Sequence, residues 1–422
     1  MKYIFYLSIS VLVIFGFKKN DTKAGKNDIL YIETNNFEDN KNAVLAYHDK
    51  GDGKLELLQG SPFLTNGAGV GNSHQILGPL DSDYELRVSS DGKFLLAVNS
   101  GSNTITVFLI KSNGALEPVE GSPFPSGGQT PVSIDVSGNN VFVVNKSQDP
   151  LHATPMAPDY ATFTIDGAGK LTPVQNGKFA TAAGTSPAQV LVSRDKKFVF
   201  GIDFLGFMLK PPVGTLRSFT VGETGTLTPL TGTPYVLPIG PMPADNGTLG
   251  LWQHPSGNPL YVGLPLQGKI GVFNINAATG ALTLRSAVAA GKAACWIRTN
   301  KTGDHMYVLN SGDNTVQVYN TSNPMSPSSV QTLELKNSGP VYAGPGGIPV
   351  KTSQPFSLAF SSNEKILYIV NQHTNKDFSI GNYNFLHVLT VADNGQLTEA
   401  ADPIQLPVSN TIRPKGSAVV RR

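Results

Sequence analysis

Three charged residues recur at one position of a repeated segment in this chain of 422 residues. Arg87 stands in "ELRVSS", Asp135 in "SIDVSG" and Arg298 in "WIRTNK". Two arginines that face the same opening could grip a carboxylate or a phosphate through paired N–H donors. The same three residues could instead form ion pairs between neighbouring sheets, because burying an unpaired charge is costly. The sequence leaves both interpretations open.

Four other residues accompany these charges on the predicted strands. Glu85 and Lys415 lie close to the same repeat position, and we count both among the candidate ligand-binding residues. Tyr84 and Trp252 are further candidates, since aromatic rings can stack on a ligand. Packing of Trp252 between two sheets is the alternative to ligand stacking.

Groups that could catalyse a reaction are scarce. Asp203 and Asp135 are weak candidates for proton transfer. Cys295, the single cysteine, has no base close by in sequence, which favours a buried, inert thiol over a nucleophile. The segment Asp49–Lys54, "DKGDGK", lacks the alternating acidic ligands of a calcium loop, so we expect no metal and no cofactor.

Composition excludes several classes of protein. The chain has 44 Gly, 30 Pro and only 15% charged residues, which is typical of a globular protein rich in turns. The net charge of +2, without clustered Lys or Arg, argues against a nucleic-acid partner. One cysteine allows no internal disulfide, so stability must come from packing.

The N-terminal residues resemble an export signal. A basic start and an apolar run from Tyr3 to Phe17 are followed by Lys18 and Lys19, and the run is short for a membrane span. We therefore expect residues 1–24 to be a signal peptide or an uncleaved anchor, and residues 25–422 to be the exported domain. The predicted location is periplasmic, cell-surface or secreted, in a bacterial setting, with no further membrane span.

A short motif divides the exported domain into repeats. It reads "GKLE", "GALE", "GKLT", "GTLT", "GALT" or "GQLT" and begins at Gly53, Gly114, Gly169, Gly225, Gly280 and Gly395. All intervals but the last are close to 57 residues, and the last is about twice as long. The divergent stretch "SPSSVQTLEL" lies where the missing copy is expected.

Each repeat predicts four antiparallel strands. Segments such as "LRVSSDGKFLLAVN" and "VLVSRDKKFVFGID" place apolar and β-branched residues on both sides of a polar turn, as hairpins do. A third strand follows, and the glycine motif opens a fourth. Four-stranded units without helical periodicity indicate an all-β fold, a seven-bladed β-propeller.

The first and last segments together supply the seventh blade. The N-terminus offers three strands, and "RPKGSAVV" near the C-terminus aligns with the inner strands "QPFSLAF" and "SPAQVLV". We expect this C-terminal strand to join the N-terminal blade and close the ring. Pro414, Pro355 and Pro187 mark the start of these inner strands, where the missing N–H is tolerated.

The repeats, with their "GSPF" tails and "VSSDGKFLLAVN" openings, resemble the lactonase-like seven-bladed propellers over about residues 28–420. That family includes bacterial 6-phosphogluconolactonase and fungal carboxymuconate cyclase. The resemblance implies the fold firmly, whereas propellers of one fold host unrelated activities.

The resemblance also implies where catalytic groups would lie. Where the enzymes carry a His-Pro-His, this chain has Ser186 and Ala188, and their Asp-Leu-Gly survives only as "DFLG", which begins at Asp203. Their Glu falls near Pro265 and their Arg at Ser311. Because lactone hydrolysis needs a base or an oxyanion donor, the family's own mechanism is not expected here.

Three long Pro- and Gly-rich insertions follow Lys146, Val236 and Ser338. We expect them to rim a pocket whose floor includes Arg87, Asp135 and Arg298. This pocket at the channel mouth would take a small anionic ligand or a protein partner, and we expect the protein to be a monomer. Two functions are consistent with this picture. One is a binding or interaction module with replaced catalytic groups, and the other is a lactone hydrolase or cyclase with a rebuilt channel site.

Overall fold

The computed structural model describes residues 27–51, 53–71, 81–148, 156–206, 213–237, 247–343, 349–374 and 380–422, so the predicted signal segment lies outside it. In these ranges the strands form seven antiparallel sheets of four or five strands and one separate two-stranded hairpin. The seven sheets are the predicted blades of a β-propeller. Blades are numbered here in chain order from the N-terminal one.

The strands follow one another blade by blade along the chain. Blades 1 and 2 contain β1 (Asp28–Glu33), β2 (Ala43–Asp49), β3 (Leu55–Leu57), β4 (Phe63–Leu64), β5 (Leu86–Val88), β6 (Phe94–Asn99), β7 (Thr104–Ile110), β8 (Leu116–Pro118) and β9 (Phe124–Pro125). Blades 3 and 4 contain β10 (Pro131–Ser137), β11 (Asn140–Asn145), β12 (Asp159–Ile165), β13 (Leu171–Ala180), β14 (Pro187–Val192), β15 (Phe198–Asp203), β16 (Thr215–Val221), β17 (Leu227–Pro229) and β18 (Tyr235–Val236).

The second half of the ring repeats this order. Blades 5 and 6 contain β19 (Leu251–Gln253), β20 (Leu260–Leu264), β21 (Lys269–Ile275), β22 (Leu282–Ala289), β23 (Ala294–Thr299), β24 (His305–Asn310), β25 (Thr315–Asn320) and β26 (Ser328–Glu334). The separate hairpin and blade 7 contain β27 (Val341–Ala343), β28 (Pro349–Lys351), β29 (Ser353–Phe360), β30 (Ile366–Thr374), β31 (Ile380–Val391), β32 (Leu397–Thr398) and β33 (Ile404–Gln405), and the chain ends with β34 (Lys415–Arg421).

The ring closes as the sequence predicts. The last strand, β34, pairs with β1, and Leu30 faces Val419 in the antiparallel register. Beyond this pair of strands, Asn27 and Arg422 exchange two backbone hydrogen bonds of 2.7 and 2.8 Å. Blade 1 is therefore built from both ends of the described chain, and β1 has a paired strand on each side.

The glycine motif has a structural cause. At Gly114 the backbone adopts φ +85°, and an added Cβ would lie 2.6 Å from the side chain of Ile29 in the preceding blade. Gly395 repeats the arrangement against His305, with φ +78° and 2.2 Å. The backbone conformation and the closeness of the neighbouring blade both require glycine. The motif thus marks where one blade packs against the next.

Burial varies from the inside of a blade to its outside. The second strand β6 has six consecutive buried residues, because both faces of each sheet are covered by neighbouring blades. The outer strand β22 alternates between half-buried and exposed residues instead. The apolar core therefore lies between the blades and around the central channel, as layers of packed side chains.

The inner strands run through the channel from one face of the ring to the other. In blade 6, β23 begins at Ala294 beside the turn Ser311–Asn314, and it ends at Thr299 beside the turn Asn300–Asp304. We call the face where inner strands begin the upper face and the face where they end the lower face. Six residues of strand span about 20 Å, so the two faces are well separated.

One insertion is more ordered than its composition indicates. The stretch after Ser338 was expected to be an irregular loop, but it contains the hairpin of β27 and β28. Tyr342 on this hairpin is buried, and its hydroxyl accepts a hydrogen bond from Gln354 at the start of blade 7. Burial of this ring against blade 7 outweighs the turn-forming composition of the segment.

No helix in the part of the chain that the structure describes is both long enough and apolar enough to cross a membrane.

Candidate functional site

The upper face carries a cavity of about 450 Å³ between blades 4 and 7, which we call the upper cavity. Its apolar wall consists chiefly of Phe204, Leu249, Leu266, Trp296, Val350 and Phe356. Its polar side chains are Asp81, Gln267, Lys292, Cys295, Ser311, Asp313 and Gln354. A largely apolar concavity with a few polar groups is typical of a small-molecule site.

The upper cavity occupies the position that the family resemblance indicates. Pro265 and Ser311, which align with the family's Glu and Arg, both line it, and so does Phe204 of the "DFLG" stretch. Ser311 lies in the turn that follows β24 and donates its hydroxyl proton to the carbonyl of Pro355, at 2.7 Å. The site is therefore in the expected place, while its chemical groups differ.

Asp203 does not present its carboxylate to this cavity. It is buried at the end of β15, and its Oδ2 accepts a hydrogen bond of 2.6 Å from Nη2 of Arg217 on β16. The hydroxyl of Thr215 donates to the same oxygen. These contacts lie within blade 4, where they serve as a buried ion pair between two strands. Asp203 remains a weak catalytic candidate that the geometry does not favour.

The channel is filled by a segment that the sequence did not reveal, residues 81–85, which we call the plug. The Nε1 of Trp296 in blade 6 donates to the Ser82 carbonyl at 2.9 Å, and Nζ of Lys146 in blade 3 donates to the Asp81 carbonyl at 2.8 Å. Asp83 accepts from both terminal nitrogens of Arg298, at 2.8 and 2.9 Å. The plug thereby joins blades on opposite sides of the ring.

Glu85 and Lys415 belong to the plug's buried surroundings. Both side chains are almost fully buried, and Nζ of Lys415 lies 3.7 Å from Oε1 of Glu85. Ser82 donates its hydroxyl proton to the same Glu85 oxygen at 2.8 Å. Burial raises the pKa of the Glu85 carboxyl, and the neighbouring Lys415 ammonium opposes that effect. These two candidates lie in the middle of the channel, where they neutralise each other.

Lys146 is the most perturbed cation near the upper cavity. Its side chain is fully buried, and burial lowers the pKa of its ammonium to about 7, with Asp81 opposing the shift. Its Nζ also lies 5.9 Å from the ring centroid of Phe204, a wall residue of the cavity. A lysine with a pKa near neutrality can exchange a proton under physiological conditions. Asp81 and Lys146 are thus the pair of groups best suited to proton transfer at this face.

Cys295 is the second residue of β23, the inner strand of blade 6, and it lines the upper cavity. Burial raises the pKa of its thiol well above the ordinary value. A thiolate is the nucleophilic form of cysteine, so this environment disfavours nucleophilic catalysis. The expectation of a buried thiol agrees with this geometry.

The other candidates lie at the lower face. Arg87 bonds through Nε and Nη2 to Oδ1 of Asp135, at 3.1 and 2.6 Å, and this pair joins blades 2 and 3. The ring of Tyr84 lies between two guanidinium groups, 4.0 Å from Arg87 and 4.7 Å from Arg298. Trp252 lies 5.1 Å from Arg298. Arg87 therefore forms an ion pair between neighbouring blades, which the sequence left as an alternative, whereas Arg298 pairs with Asp83 of the plug.

This placement differs from the expected pocket. The described ends of the three insertions lie at the upper face, beside residues such as Lys146, whereas Arg87 and Arg298 lie at the lower face. The central parts of those insertions, 149–155, 238–246 and 344–348, lie outside the described residues. Arg298 comes four residues after the start of β23, which places it about 13 Å away from the upper face. A single pocket therefore cannot include both the three insertions and the two arginines.

Sequence reasoning missed Asp81, Lys146 and Arg194. Asp81 precedes a predicted strand in the acidic stretch "DSDYE", and a cluster of acids at the start of an inner strand was an available signal. Lys146 follows the strand that ends at Asn145, at the repeat position of Ser100 and Ser311. A lysine where blades 2 and 6 have serine was a second signal. No group of metal-binding side chains occurs among the described residues.

Comparisons with known proteins agree with the fold. The family model "Lactonase, 7-bladed beta-propeller" matches residues 26–159, and no curated protein matches the sequence. A protein of Lactobacillus plantarum has a TM-score of 0.67 at 15% identity, covering 94% of this chain and 99% of its own. A putative 6-phosphogluconolactonase of Bacteroides fragilis has a TM-score of 0.64 at 17% identity, covering 94% and 98%.

The periplasmic gluconolactonase PpgL of Pseudomonas aeruginosa is similar over 93% of this chain and 99% of its own, with a TM-score of 0.60 at 16% identity. Identities this low establish a shared architecture, and the family match adds sequence support for the first third of the chain. Together with the seven closed blades, they confirm the resemblance that the repeats predicted. This chain is a seven-bladed β-propeller whose residues 26–159 match the lactonase family model.

Proposed function

We propose that this protein hydrolyses a small lactone, such as the lactone of a sugar acid, in the upper cavity. The observation that carries the proposal is the Asp81 and Lys146 pair beside a cavity of about 450 Å³, on the face where the family's catalytic positions map. The names of two similar structures, a gluconolactonase and a putative 6-phosphogluconolactonase, point to the same substrate class.

Asp81 is the proposed general base. Hydrolysis of a lactone requires a water molecule to lose a proton as it attacks the ring carbonyl, and a carboxylate at the cavity wall can accept that proton. Lys146 holds the backbone of Asp81 and places a proton of near-neutral pKa beside it. The proton that Asp81 has taken from water can then pass to the ring oxygen as it leaves, which completes the opening of the ester.

The remaining polar groups suit recognition of a hydroxylated ring. Gln267, Ser311 and Gln354 offer amide and hydroxyl groups around a mostly apolar wall. Such a set can bind several hydroxyl groups while the apolar residues exclude bulk water. The cavity is large enough for a sugar-sized ligand.

The test is a rate assay on purified protein with a panel of sugar-acid lactones, corrected for spontaneous hydrolysis. We expect turnover by the wild type, and we expect Asp81→Asn to lower kcat/KM by roughly 10²- to 10⁴-fold, since a positioned base contributes about that much. Asp313→Asn is the matched control, because it removes a second carboxylate of the same cavity and is expected to change KM at most.

Unchanged kcat/KM in Asp81→Asn, at a melting temperature close to that of the wild type, contradicts the assignment of the base. No turnover of any lactone contradicts the hydrolase itself. A second candidate function then takes its place, namely binding of the same ligand class without catalysis. It is favoured by the apolar wall and by the lack of a histidine among the described residues that line the cavity.

Export belongs to the same proposal. The apolar run Tyr3–Phe17 supports secretion, and the similar gluconolactonase of Pseudomonas aeruginosa is named as periplasmic. Sequencing the N-terminus of the native protein tests this: a start near residue 25 supports cleavage, and a cytosolic protein that starts at Met1 contradicts export.

A further inference from the structure

The lower face holds two cavities that no proposed function of the upper cavity uses. Their volumes are about 250 and 450 Å³, and both are lined by Tyr84, Arg87, Arg194 and Trp252. Because they share these four residues, the cavities are neighbouring parts of one depression at the lower mouth of the channel. We call this depression the lower basin.

The smaller cavity of the lower basin is rich in positive charge. Its charged residues are Arg87, Arg194 and Lys196, against the single carboxylate of Asp135. That carboxylate is already occupied, since it accepts two hydrogen bonds from Arg87 and one from the backbone N–H of Val192, at 2.7 Å. The charges of Arg194 and Lys196 are therefore left uncompensated by any carboxylate that lines this cavity.

Arg194 is held in place by neutral groups only. Its Nε donates to the carbonyls of Gln253 and His254, at 3.3 and 3.0 Å, and its Nη2 donates to the Gln253 carbonyl at 3.1 Å. Nη1 has no hydrogen-bond partner among the described residues, and the side chain is exposed. A guanidinium fixed by backbone carbonyls keeps its full charge and a free N–H group for an incoming anion.

Arg87 offers a second guanidinium with a free N–H group. Its Nε and Nη2 bind Asp135, so Nη1 remains free of partners in the described chain. The side chain is one-third exposed, which leaves that nitrogen open to a ligand. The hydroxyls of Ser90 and Ser137 lie at the wall of the same cavity as additional donors. Guanidinium and hydroxyl donors that converge from several directions suit a tetrahedral anion.

The larger cavity provides space for the rest of a ligand. Beyond the four shared residues, its apolar wall includes Leu86, Val88, Pro255, Leu358 and Phe360, and its charged residues are Arg298, Lys301 and Glu364. An organic group attached to the anion could therefore lie against apolar side chains, next to the indole of Trp252. The two parts of the basin thus match the two parts of a small phosphate ester.

We propose that the lower basin binds a small molecule carrying a phosphate group, which Arg87, Arg194 and Lys196 contact through their free donors. This site is separate from the upper cavity and does not depend on lactone hydrolysis. Binding to it is a second function, in which the ring holds one ligand at each end of its channel.

The test is titration of the purified full chain with phenyl phosphate, inorganic phosphate and benzoate. Binding is measured by calorimetry and by the fluorescence of Trp252. We expect phenyl phosphate to bind more tightly than inorganic phosphate, because its ring reaches the apolar cavity, and more tightly than benzoate. A single charged hydrogen bond is worth enough to weaken binding about tenfold or more when it is lost, which is the effect expected for Arg194→Gln.

Two further variants keep the outcome clear. Lys196→Asn removes a charge at a backbone position with φ +63°, which asparagine tolerates, and it should also weaken binding of phenyl phosphate. Arg285→Gln removes an exposed arginine from an outer strand and should leave the affinity within about twofold, since it contacts neither cavity.

Three results would overturn the proposal. The first is an unchanged affinity for phenyl phosphate in both Arg194→Gln and Lys196→Asn. The second is an equal loss in Arg285→Gln, which indicates nonspecific attraction by net charge. The third is loss of binding in Lys292→Gln alone, which places the anion in the upper cavity instead.

Discussion

Burial determines the role of individual side chains in this protein more than residue type does. Lys146 and Lys415 are both buried lysines of the channel, and Nζ of Lys415 lies 3.7 Å from Oε1 of Glu85. Lys146 donates instead to a backbone carbonyl, and its burial lowers the pKa to about 7. Desolvation favours the neutral amine, and here it outweighs the opposing charge of Asp81. The same residue type therefore lies against a carboxylate in one place and against a backbone carbonyl in another.

The lowered pKa of Lys146 predicts a specific dependence of stability on pH. Between about 7 and 10.5 the unfolded chain keeps a proton that the folded chain has released, so folding becomes more favourable as pH rises through this interval. We expect the free energy of unfolding of the wild type, relative to Lys146→Met, to increase from pH 7 to pH 10 in urea titrations.

Lys170→Met is the control for this experiment, because Lys170 is exposed and its removal should not change the pH dependence. Parallel stability curves for the wild type and Lys146→Met would show that Lys146 has an ordinary pKa.

At the scale of elements, the plug is the part of the structure that departs most from the repeat. Residues 81–85 enter the channel before the inner strand β5 of blade 2 begins, and they contact blades 3 and 6 there. Blade 2 consequently has a short inner strand of three residues, whereas β10 has seven. The plug replaces strand pairing with hydrogen bonds to side chains of several other blades.

The bidentate pair of Asp83 and Arg298 is expected to hold the plug. The Asp83 carboxylate is 2% exposed, so Asp83→Asn leaves a mostly buried guanidinium without its counter-charge. A loss of about 3–5 kcal/mol in the free energy of unfolding is expected for removing one partner of a buried pair. Urea unfolding of the variant measures it.

Asp402→Asn provides a matched comparison. Asp402 is 91% exposed and pairs with Lys336 at 3.2 Å, so its loss should cost less than about 1 kcal/mol. The double variant Asp83→Asn with Arg298→Met should lose less stability than the sum of its two single changes. Additive losses would mean that the two residues do not act as a pair.

The blades could be predicted well from the sequence because the same pattern recurs in each blade. The glycine motif, the polar turns and the prolines each mark a backbone requirement that recurs, so every copy confirms the others. The plug occurs once, and its contacts join residues as distant in sequence as Ser82 and Trp296. No periodic pattern encodes such a contact.

The same limit explains the candidate site. Arg87, Asp135 and Arg298 were identified as charged residues on inner strands, but their partners and their distance from the upper face depend on three-dimensional packing. A single deviation within a repeat, such as Lys146 in place of serine, proves more informative about the upper cavity than the shared positions do.

At the scale of the whole molecule, stability depends on closing the ring. Each blade packs on two neighbours, and blade 1 owes its innermost strand to the C-terminus through the pairing of β34 with β1. Without that strand the blade loses a set of ladder hydrogen bonds and exposes apolar side chains such as those of Leu30 and Ile32. The ends of the described chain are therefore as important as its centre.

Deletion of residues 413–422 should destabilise every blade. We expect a broadened thermal transition at a much lower temperature than that of the wild type, because the open ring loses its cooperativity. Differential scanning calorimetry measures this, and a melting curve like that of the wild type would refute the role of the C-terminal strand.

A permuted chain gives the matching control. Arg422 and Asn27 already exchange two backbone hydrogen bonds, so residues 413–422 can be placed before residue 27 through a two-residue turn. This chain keeps the strand and changes only its covalent connection. Recovery of the melting temperature would show that pairing of the strand, and not the deletion as such, determines stability.

The plug also affects whether small molecules can pass through the channel. In the middle of the channel, Tyr84 of the plug is buried beside Trp296 and Phe356. Open cavities lie above and below these three residues. A small molecule cannot cross from one mouth to the other while this packing holds. Each mouth is a blind pocket, in which arrival and departure share one opening and a departing product competes with the next substrate for the same path.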